Sequence, residues 1–575
     1  MKGIRYIGLR VLTPKPPKGG FNSLCTVCIK APFRGFGGRT VVSLCLIIMC
    51  QTAFAQQGTT DVVTITKEFE GKIKDADKVS LAPNIPEDKE STPDLKYNIP
   101  QREFKDMSFE PDPIRPLGMS TDKLERYNSS YIRLGIGSQL TALANLMYNG
   151  NNKSNSLKYG FYYDHLNQYG FKTKNQKFSD DQLGAYMKYF VKKLEFSAGF
   201  GFHNLRTHFY GSPDTVYSAN AILQNLRNYD LNIGIKNSQK NKSNIDYFAL
   251  VRGNFFQETS GRGYEYFVNG NVGATYNFKK FHAVFASFQG DASSYNTKSS
   301  DTARTNLFRT LFFTKVGYGF NNDDWKARAG FTLGVDGSTI YPLPDLYLEK
   351  RLYQHMLLAY AGWEIRIDKN SFQSLSAENN FVNSILGIRN TRVMDIYAGL
   401  KGTIGGFSYN LRFAYKNIYN MAFFYTDSTD TKRFNVAYDS RVIDLNGQVE
   451  LGYNYKDKLR LLWTTDINSY SPSNNQYAWY APVLKSSFKF SYIIEKKIIV
   501  GADVFAFSDY HGFLSVGNIM TVKATADANL NIEYLFSKHV SFFGKLNNLA
   551  NQHYQIYANY PVYGINGLVG AKFSF

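Results

Sequence analysis

Apolar and polar side chains alternate along most of this chain from about residue 131 onward. Residues 194–203 (LEFSAGFGFH) and 522–534 (VKATADANLNIEY) show the pattern over long stretches. Because successive side chains of a strand point to opposite faces, this period of two predicts strands with one apolar face and one polar face. The same Asn, Tyr, Phe and Gly usage continues throughout, so we interpret residues 120–575 as one domain.

Short and long connections alternate between the predicted strands. The short ones carry mostly Lys, Asn, Asp, Ser or Gly, which favour turns, and they are residues 149–155, 192–193, 240–243, 279–280, 322–324, 354–355, 405–406, 456–458, 495–497 and 537–539. The longer ones include residues 171–182, 212–224, 296–305, 371–392 and 426–433. Ten short turns pair twenty strands, and one further strand at each end gives 22.

These features predict an all-β fold, an antiparallel transmembrane β-barrel of the outer-membrane type with about 22 strands. Such a barrel needs an even strand count, an apolar exterior, a polar interior, and turns at one end with loops at the other. The chain closes with Phe573 and Phe575 on one strand face, and we interpret this pair as a C-terminal barrel-assembly signal. The alternative, a soluble β-sandwich or solenoid, would need internal repeats that the sequence lacks.

The first 119 residues differ in composition from the rest. Residues 1–55 hold eight basic residues and no acidic one, and residues 41–50 (VVSLCLIIMC) are apolar. Ala53 and Ala55 then form a small-x-small cleavage site, so we interpret residues 1–55 as an upstream extension plus a secretory signal peptide. Residues 56–119 carry seven prolines and are interpreted as a short periplasmic or lumenal segment that cannot build its own core.

Composition excludes several classes of protein. All four cysteines lie in residues 1–55, so the mature chain has no disulfide scaffold and no cysteine nucleophile or zinc–thiolate site. His203 and His208 would face opposite sides of one strand, and no catalytic or phosphate-binding motif occurs, so we expect no enzyme, metal or cofactor. The net charge of +19 comes partly from Lys-rich turns, which we interpret as facing the periplasm rather than nucleic acid.

Three segments resemble TonB-dependent receptors. Residues 545–554 (KLNNLANQHY) resemble the penultimate-strand motif of that family, after which a last strand ends in phenylalanine. Residues 375–381 (LSAENNF) and 64–69 (TITKEF) resemble segments of the receptor-like barrels of Bacteroidota that lack a plug. The resemblance covers residues 60–575 and implies an outer-membrane barrel that serves substrate transport. Family members carry an N-terminal plug domain inside the barrel, whereas residues 56–119 show no plug-like pattern.

A barrel of this size needs a filled lumen, and three fillers remain open: residues 56–119, the long loops, or a partner protein. The resemblance also implies a segment similar to a TonB box, which could add as a strand to a periplasmic partner, at Asp61, Val62, Val63, Thr64, Ile65 and Thr66. A second candidate site is an outer-loop contact with a ligand or partner at Glu378, Asn379 and Asn380, although a self-packed loop is an equal alternative.

The functional hypothesis is a TonB-dependent-receptor-like component of outer-membrane transport, with its N-terminus in the periplasm. The expected partners are outer-membrane lipid, the barrel-assembly machinery, and TonB or a lumen-closing periplasmic protein. Two alternatives remain: a non-transporting barrel that anchors or scaffolds an envelope complex, and a passive porin. The missing plug weakens the first hypothesis and the barrel's size weakens the porin.

Overall fold

The computed structural model describes residues 130–170, 173–211, 218–238, 243–258, 263–298, 304–383, 387–456, 458–515 and 518–575. The predictions made for residues 1–119, including the signal peptide and the proline-rich segment, fall outside these ranges. Within them, 22 strands form one closed antiparallel barrel, which confirms the predicted fold class and strand number.

The barrel strands are β1 (Tyr131–Gly137), β2 (Thr141–Asn151), β3 (Leu157–Tyr169), β4 (Lys177–Val191), β5 (Leu194–His208), β6 (Leu223–Asn237), β7 (Ile245–Glu258), β8 (Gly263–Phe278), β9 (His282–Lys298), β10 (Arg304–Asn321), β11 (Trp325–Asp336), β12 (Thr339–Tyr353), β13 (Leu357–Asp368), β14 (Thr391–Ile404), β15 (Phe407–Tyr419), β18 (Val442–Tyr455), β19 (Leu459–Pro472), β20 (Leu484–Ile494), β21 (Ile498–Phe507), β24 (Thr525–Leu535), β25 (Val540–Asn547) and β28 (Asn566–Ser574). The connections hold three further hairpins, β16 (Met421–Thr426) with β17 (Phe434–Asp439), β22 (Tyr510–Ser515) with β23 (Asn518–Val522), and β26 (Gln555–Tyr557) with β27 (Tyr560–Pro561), and one helix, α1 (Phe372–Glu378). Among the described residues, no helix is long and apolar enough to cross a membrane.

The first and last strands close the barrel. β1 pairs with β2 on one side and with β28 on the other, where Ile132 lies opposite Phe573. The backbones of Ser130 and Phe575 exchange two further hydrogen bonds, of 3.2 and 2.9 Å. Every barrel strand therefore has two neighbours, and the barrel has no free strand edge.

The predicted short turns all lie at one end of the barrel. Lys192, Lys279, Gln354, Lys456 and Glu495 adopt positive φ angles between 42° and 53° in these turns. Tight hairpins need this left-handed backbone because its twist matches the twist of the paired strands. Each of the ten turns predicted from composition falls between two consecutive strands of the barrel.

The opposite end differs from the simple alternation of short and long links. Residues 138–140 and 337–338 make two tight connections there, the second through Gly337 at a φ of 60°. The remaining connections at this end are longer, and they carry α1 and the three additional hairpins. The sequence did not predict the turn at residues 138–140. Gln139 and Leu140 adopt positive φ angles there, although neither is a typical turn residue.

The outward face of the barrel is apolar. Its middle is aliphatic, as at Ile233, Val268, Val272 and Val316, whose side chains are more than half exposed. Near the short turns, exposed tyrosines form a girdle, namely Tyr148, Tyr159, Tyr189, Tyr247, Tyr276, Tyr318, Tyr453, Tyr492 and Tyr534. An aliphatic band with aromatic edges is the exterior that a bilayer requires.

A charge on the aliphatic band should prevent stable insertion. We expect Val272→Lys to cost about 2–4 kcal/mol if it lies near the bilayer midplane, because the ammonium group would face hydrocarbon. The neighbouring Asn271 faces the interior, so Asn271→Lys serves as the control and should insert normally. Heat-modifiable migration in gels, with recovery from the outer-membrane fraction, measures folding of both variants. Equal recovery of the two variants would contradict the assignment of the two faces.

Candidate functional site

Six connections at the long-loop end pack together into a structure that we name the cap. They are residues 209–222, 369–390, 420–441, 473–483, 508–524 and 548–565. With inward side chains from the ends of the barrel strands, their described residues form the largest cluster of buried apolar side chains found in the structure. Phe372, Val382 and Phe434 are 0% exposed. Among the described residues, the main hydrophobic core therefore lies among the loops at this end of the barrel.

Aromatic rings form the centre of the cap. Phe381 stacks on Tyr560, with ring centroids 3.6 Å apart and planes 17° from parallel. Phe434 packs against Tyr557 at 5.4 Å and against Tyr480 at 5.9 Å. Each aromatic pair contributes about 0.5–1.5 kcal/mol beyond the area it buries. These five rings come from four connections, so the contacts hold the loops together across the barrel mouth.

Helix α1 attaches the cap to the inner wall. Ser371 and Ser374 form a capping box at its first turn, which satisfies backbone N–H groups that a helix start leaves unpaired. The Gln373 backbone N–H donates to Glu265 of β8 at 3.1 Å, and its side-chain amide donates to Asn228 of β6 at 2.8 Å.

Phe372 fixes the same end of the helix. Its ring contacts Phe256 at 5.4 Å and Tyr295 at 5.0 Å, on strands β7 and β9. The helix is too short to be stable alone, so it is the wall that holds it in place.

The predicted outer-loop contact falls at the end of this helix. Asn379 is fully buried, and its side-chain oxygen accepts a hydrogen bond from the Phe381 backbone at 2.9 Å. The carbonyl of Glu378 accepts from the Tyr557 hydroxyl at 2.9 Å, and that of Asn380 accepts from Gln224 at 3.4 Å. The structure therefore places all three residues within the cap. A contact with an external ligand or partner stays a prediction.

Glu378 is a titratable group of the cap, and its surroundings change its pKa strongly. Removal from bulk water raises the pKa of its carboxyl to about 7, while the Lys485 cation on β20 acts in the opposite direction. Its ordinary value is 4.5, so the folded protein binds this proton more tightly than the unfolded chain does. Negative charge on Glu378 therefore destabilises the packing of the cap around this residue.

Asp439 joins two of the cap connections. Its carboxylate is 0% exposed and accepts four hydrogen bonds. The donors are the backbone N–H groups of Arg441, Ser473 and Asn474 and the side-chain amide of Asn475, at 2.8 to 3.2 Å. A buried carboxylate is stable only when such donors replace water. Asp439 thus holds residues 439–441 against residues 473–475.

A buried ion pair ties the tip of a third connection to the wall. Arg433 lies 3.6 Å from Glu258 of β7 and 3.3 Å from Asp430. Its guanidinium also stacks 4.0 Å above the ring of Phe209. Removing one partner of such a pair leaves an uncompensated buried charge, which costs about 3–5 kcal/mol.

Asn548 gives a structural reason for the motif at residues 545–554. It adopts a positive φ of 52°. Its side-chain amide donates to the carbonyls of Gln552 and Tyr563, at 2.7 and 2.6 Å, and its oxygen accepts from the Gln552 backbone at 2.8 Å. The motif therefore shapes the connection that carries Tyr557 and Tyr560 into the cap.

Below the cap, the inner wall carries a belt of paired charges. The members face inward on β10 to β18 and are five cations, Lys315, Arg328, Arg366, Arg412 and Lys416, and five anions, Asp345, Glu364, Asp368, Asp395 and Asp444. Arg412, for example, donates to Asp395 at 2.9 Å and to Asn446 at 2.8 Å. The belt is neutral as a set and gives this part of the wall a polar surface, as expected of a barrel interior.

The remaining predicted site residues divide into two groups. Phe573 and Phe575 are 48% and 56% exposed on the outer surface. Asp61, Val62, Val63, Thr64, Ile65, Thr66, Ala53 and Ala55 lie outside the described residues. In the part of the chain that the structure describes, no group of three or more His, Cys, Asp or Glu residues is placed to hold a metal ion. The role of every residue in both groups stays a prediction.

Sequence analysis left the long loops open as one of three possible fillers of the lumen, but it missed the aromatic packing that joins them into the cap. The signal was available, because residues 423–425 (FFY) and 477–480 (YAWY) place clustered aromatics between strands, where polar turn residues are usual. Asp439 carried no comparable signal, since three of its four donors lie more than thirty residues away in the chain.

The fold matches solved structures of outer-membrane receptors. The siderophore receptor PirA from Acinetobacter baumannii aligns with a TM-score of 0.61 and 10% identity, over 78% of this chain and 80% of that one. The ferric-catecholate import receptor Fiu from E. coli K12 aligns at 0.61 and 10%, over 78% and 82%. The ferripyoverdine receptor of Pseudomonas aeruginosa aligns at 0.58 and 10%, over 78% and 72%. At this identity the likeness concerns the fold. No family model matches the sequence, and no curated protein matches it.

Replacing the Asp439 carboxylate should loosen the cap while leaving the barrel intact. Each hydrogen bond to a charged group is worth about 1.5–3 kcal/mol, and the amide of Asp439→Asn would turn a donor toward the donors that now bind it. We expect faster proteolysis or hydrogen exchange in residues 473–475. Asp509→Asn is the control, because Asp509 is exposed and the amide oxygen of asparagine can still accept the hydrogen bond from the Ala524 backbone. Unchanged exchange in the Asp439 variant would show that the carboxylate does not hold the loops.

Raising the pH should weaken the attachment of α1. Between the ordinary pKa of 4.5 and the raised value of about 7, the folded state binds more protons at Glu378, so stability falls as pH rises. Hydrogen exchange in residues 372–383, corrected for intrinsic rates, should therefore be faster at about pH 8 than at about pH 5, on either side of that window. Glu378→Gln should abolish the difference, whereas Glu495→Gln in an exposed turn should keep it. A difference that persists in Glu378→Gln would assign it to another group.

Proposed function

We propose that this protein is an outer-membrane barrel that takes part in substrate transport in the manner of TonB-dependent receptors. The observation that carries the proposal is a polar, charge-paired inner wall beneath a mouth covered by packed loops. A polar wall suits a passage for hydrophilic solutes, and the cap keeps that passage from leaking. The solved structures with the same fold include proteins described as a siderophore receptor and an import receptor.

The proposed location in the outer membrane follows from the outer surface of the barrel. The aliphatic band and its tyrosine girdle fit outer-membrane lipid, and the exposed Phe573 and Phe575 fit recognition by the barrel-assembly machinery. We place the short turns and the N-terminal side of β1 in the periplasm. The segment Asp61–Thr66 then lies on the side where an energy-coupling partner such as TonB would bind it by strand addition.

A second function, an anchor or scaffold in an envelope complex, is favoured by the packing of the cap. Phe372, Val382 and Phe434 are fully buried, and Asp439 and Arg433 hold the loops by buried polar contacts. A mouth closed so firmly suits a barrel that passes nothing by itself. The same observation opposes the passive porin, which needs a permanently open mouth.

Deleting Asp61–Thr66 separates these functions. A transport component should lose uptake, because the deletion removes the segment proposed to couple energy, while the amount of folded barrel stays the same. Accumulation of a panel of labelled ferric siderophores and oligosaccharides by whole cells measures uptake. Deletion of residues 87–92 removes an equal length from the same proline-rich segment and is the control.

The outcomes point to different functions. Unchanged uptake after deleting Asp61–Thr66, together with an unchanged envelope phenotype, would contradict coupled transport and favour the scaffold. A large steady conductance of the purified protein in a planar bilayer would favour the porin.

A further inference from the structure

A concavity of about 460 Å³ lies in the inner wall formed by β3, β4, β5 and β6. Its volume falls within the range of about 300–1,000 Å³ that is usual for sites of small ligands. The inward side chains that line it include Tyr162, Gln182, Tyr186, His203, Asn228 and Asn232. It is separate from the charge belt, which lies on β10 to β18, and it shares no residue with it.

Glycines create the concavity and orient its rings. The Tyr162 ring fills the space that a side chain on Gly184 would take, and the Tyr186 ring does the same above Gly160. The Tyr186 hydroxyl donates to Asn149 at 2.5 Å, which fixes that ring further. At Gly201 the wall stays open, since an added Cβ would meet only the Asp230 side chain, at 3.7 Å. Two tyrosine rings packed on the backbone therefore flank a recess in the wall.

The charges around the concavity compensate one another. Asp230 pairs with Arg252, and Glu195 lies 3.4 Å from both Lys188 and Lys236. The Asp180 carboxylate lies 2.7 Å from the ring of His203. What remains for a ligand is mostly amide and hydroxyl groups, as on Gln182, Asn232 and Ser197. Amides and hydroxyls both donate and accept hydrogen bonds. This surface is complementary to a neutral ligand rich in hydroxyl groups and is a poor match for an ionic one.

The aromatic rings narrow the ligand class further. A pyranose ring has hydroxyl groups at its edge and C–H groups on its faces, and C–H groups pack favourably on the negative face of an aromatic ring. The concavity offers both kinds of partner, with Tyr162 and Tyr186 next to the amides. Asn228 also connects it to the cap, because its side-chain oxygen accepts from Gln373 of α1 at 2.8 Å. A ligand bound here would lie directly below the cap helix.

We propose that this concavity is a saccharide-binding site on the inner wall. The inference rests on the proposed function for the route by which a saccharide reaches the barrel interior. Binding itself does not require energy coupling, so it can be measured on the isolated protein.

The test is calorimetric titration of the purified mature chain in lauryldimethylamine oxide, because maltoside detergents would carry a competing sugar. The probes are maltotriose, chitotriose and mannotriose, with citrate as the charged comparison. We expect at least one saccharide to bind and citrate not to bind. Gly201→Leu should reduce the affinity about tenfold or more, a change of about 1.4 kcal/mol, because the new side chain fills the recess without meeting the backbone.

Gly319→Leu is the matched control. Gly319 faces inward on β10, and an added Cβ there meets nothing within 4 Å. This variant makes the same change in size outside the concavity, so it should bind the saccharide like the unchanged protein. Heat-modifiable migration in gels confirms that both variants are folded.

Three results would overturn the proposal: no binding of any of the three saccharides, binding of citrate instead, or equal affinity of Gly201→Leu and the unchanged protein. None of them depends on uptake. If deletion of Asp61–Thr66 left uptake unchanged while Gly201→Leu lost binding, the transport proposal would fail and the saccharide site would stand.

Discussion

Hydrogen bonding of the backbone in the absence of water is the constraint on which this structure depends. A strand inside a bilayer has no solvent to satisfy its N–H and C=O groups, so each strand needs a neighbour on both sides. The pairing of β1 with β28 meets that requirement for the last two edges. The closed sheet then imposes a period of two on every strand, with apolar side chains toward lipid and polar side chains toward the interior.

In the described part of the chain, this division leaves the inner face of the strands largely polar and places the main apolar cluster elsewhere. The aromatic side chains that would fill the core of a soluble protein are found instead among the connections, where Phe434, Tyr480 and Tyr557 meet. Polar groups complete the cap, as the carboxylate of Asp439 and the guanidinium of Arg433 are buried with partners. The loops therefore form a packed layer across one mouth, and the inner wall below it is free to carry polar groups that face the interior.

How much the sequence predicts depends on how local the determining interaction is. The strands and short turns were predictable because a period of two and residues such as Lys192 or Gly405 act within a few positions. The cap was not predictable, because it depends on contacts such as the stacking of Phe381 on Tyr560, two residues that lie far apart in the chain. Helix α1 was missed for the same reason, since its position depends on Phe256 and Tyr295 rather than on its own seven residues.

The seam between β1 and β28 has a consequence for the order of folding. Ser138 and Gly567 are hydrogen-bonded although they lie 429 residues apart in the chain. Pairing at such a separation carries a high entropic cost and forms slowly, whereas the hairpins at the short turns are local and fast. Until the seam closes, β1 and β28 each lack a partner along one edge, and unpaired strand edges are prone to aggregate. We therefore expect closure of the seam to be the slowest step in the folding of this chain, and the period before it to be the one in which the chain most needs protection.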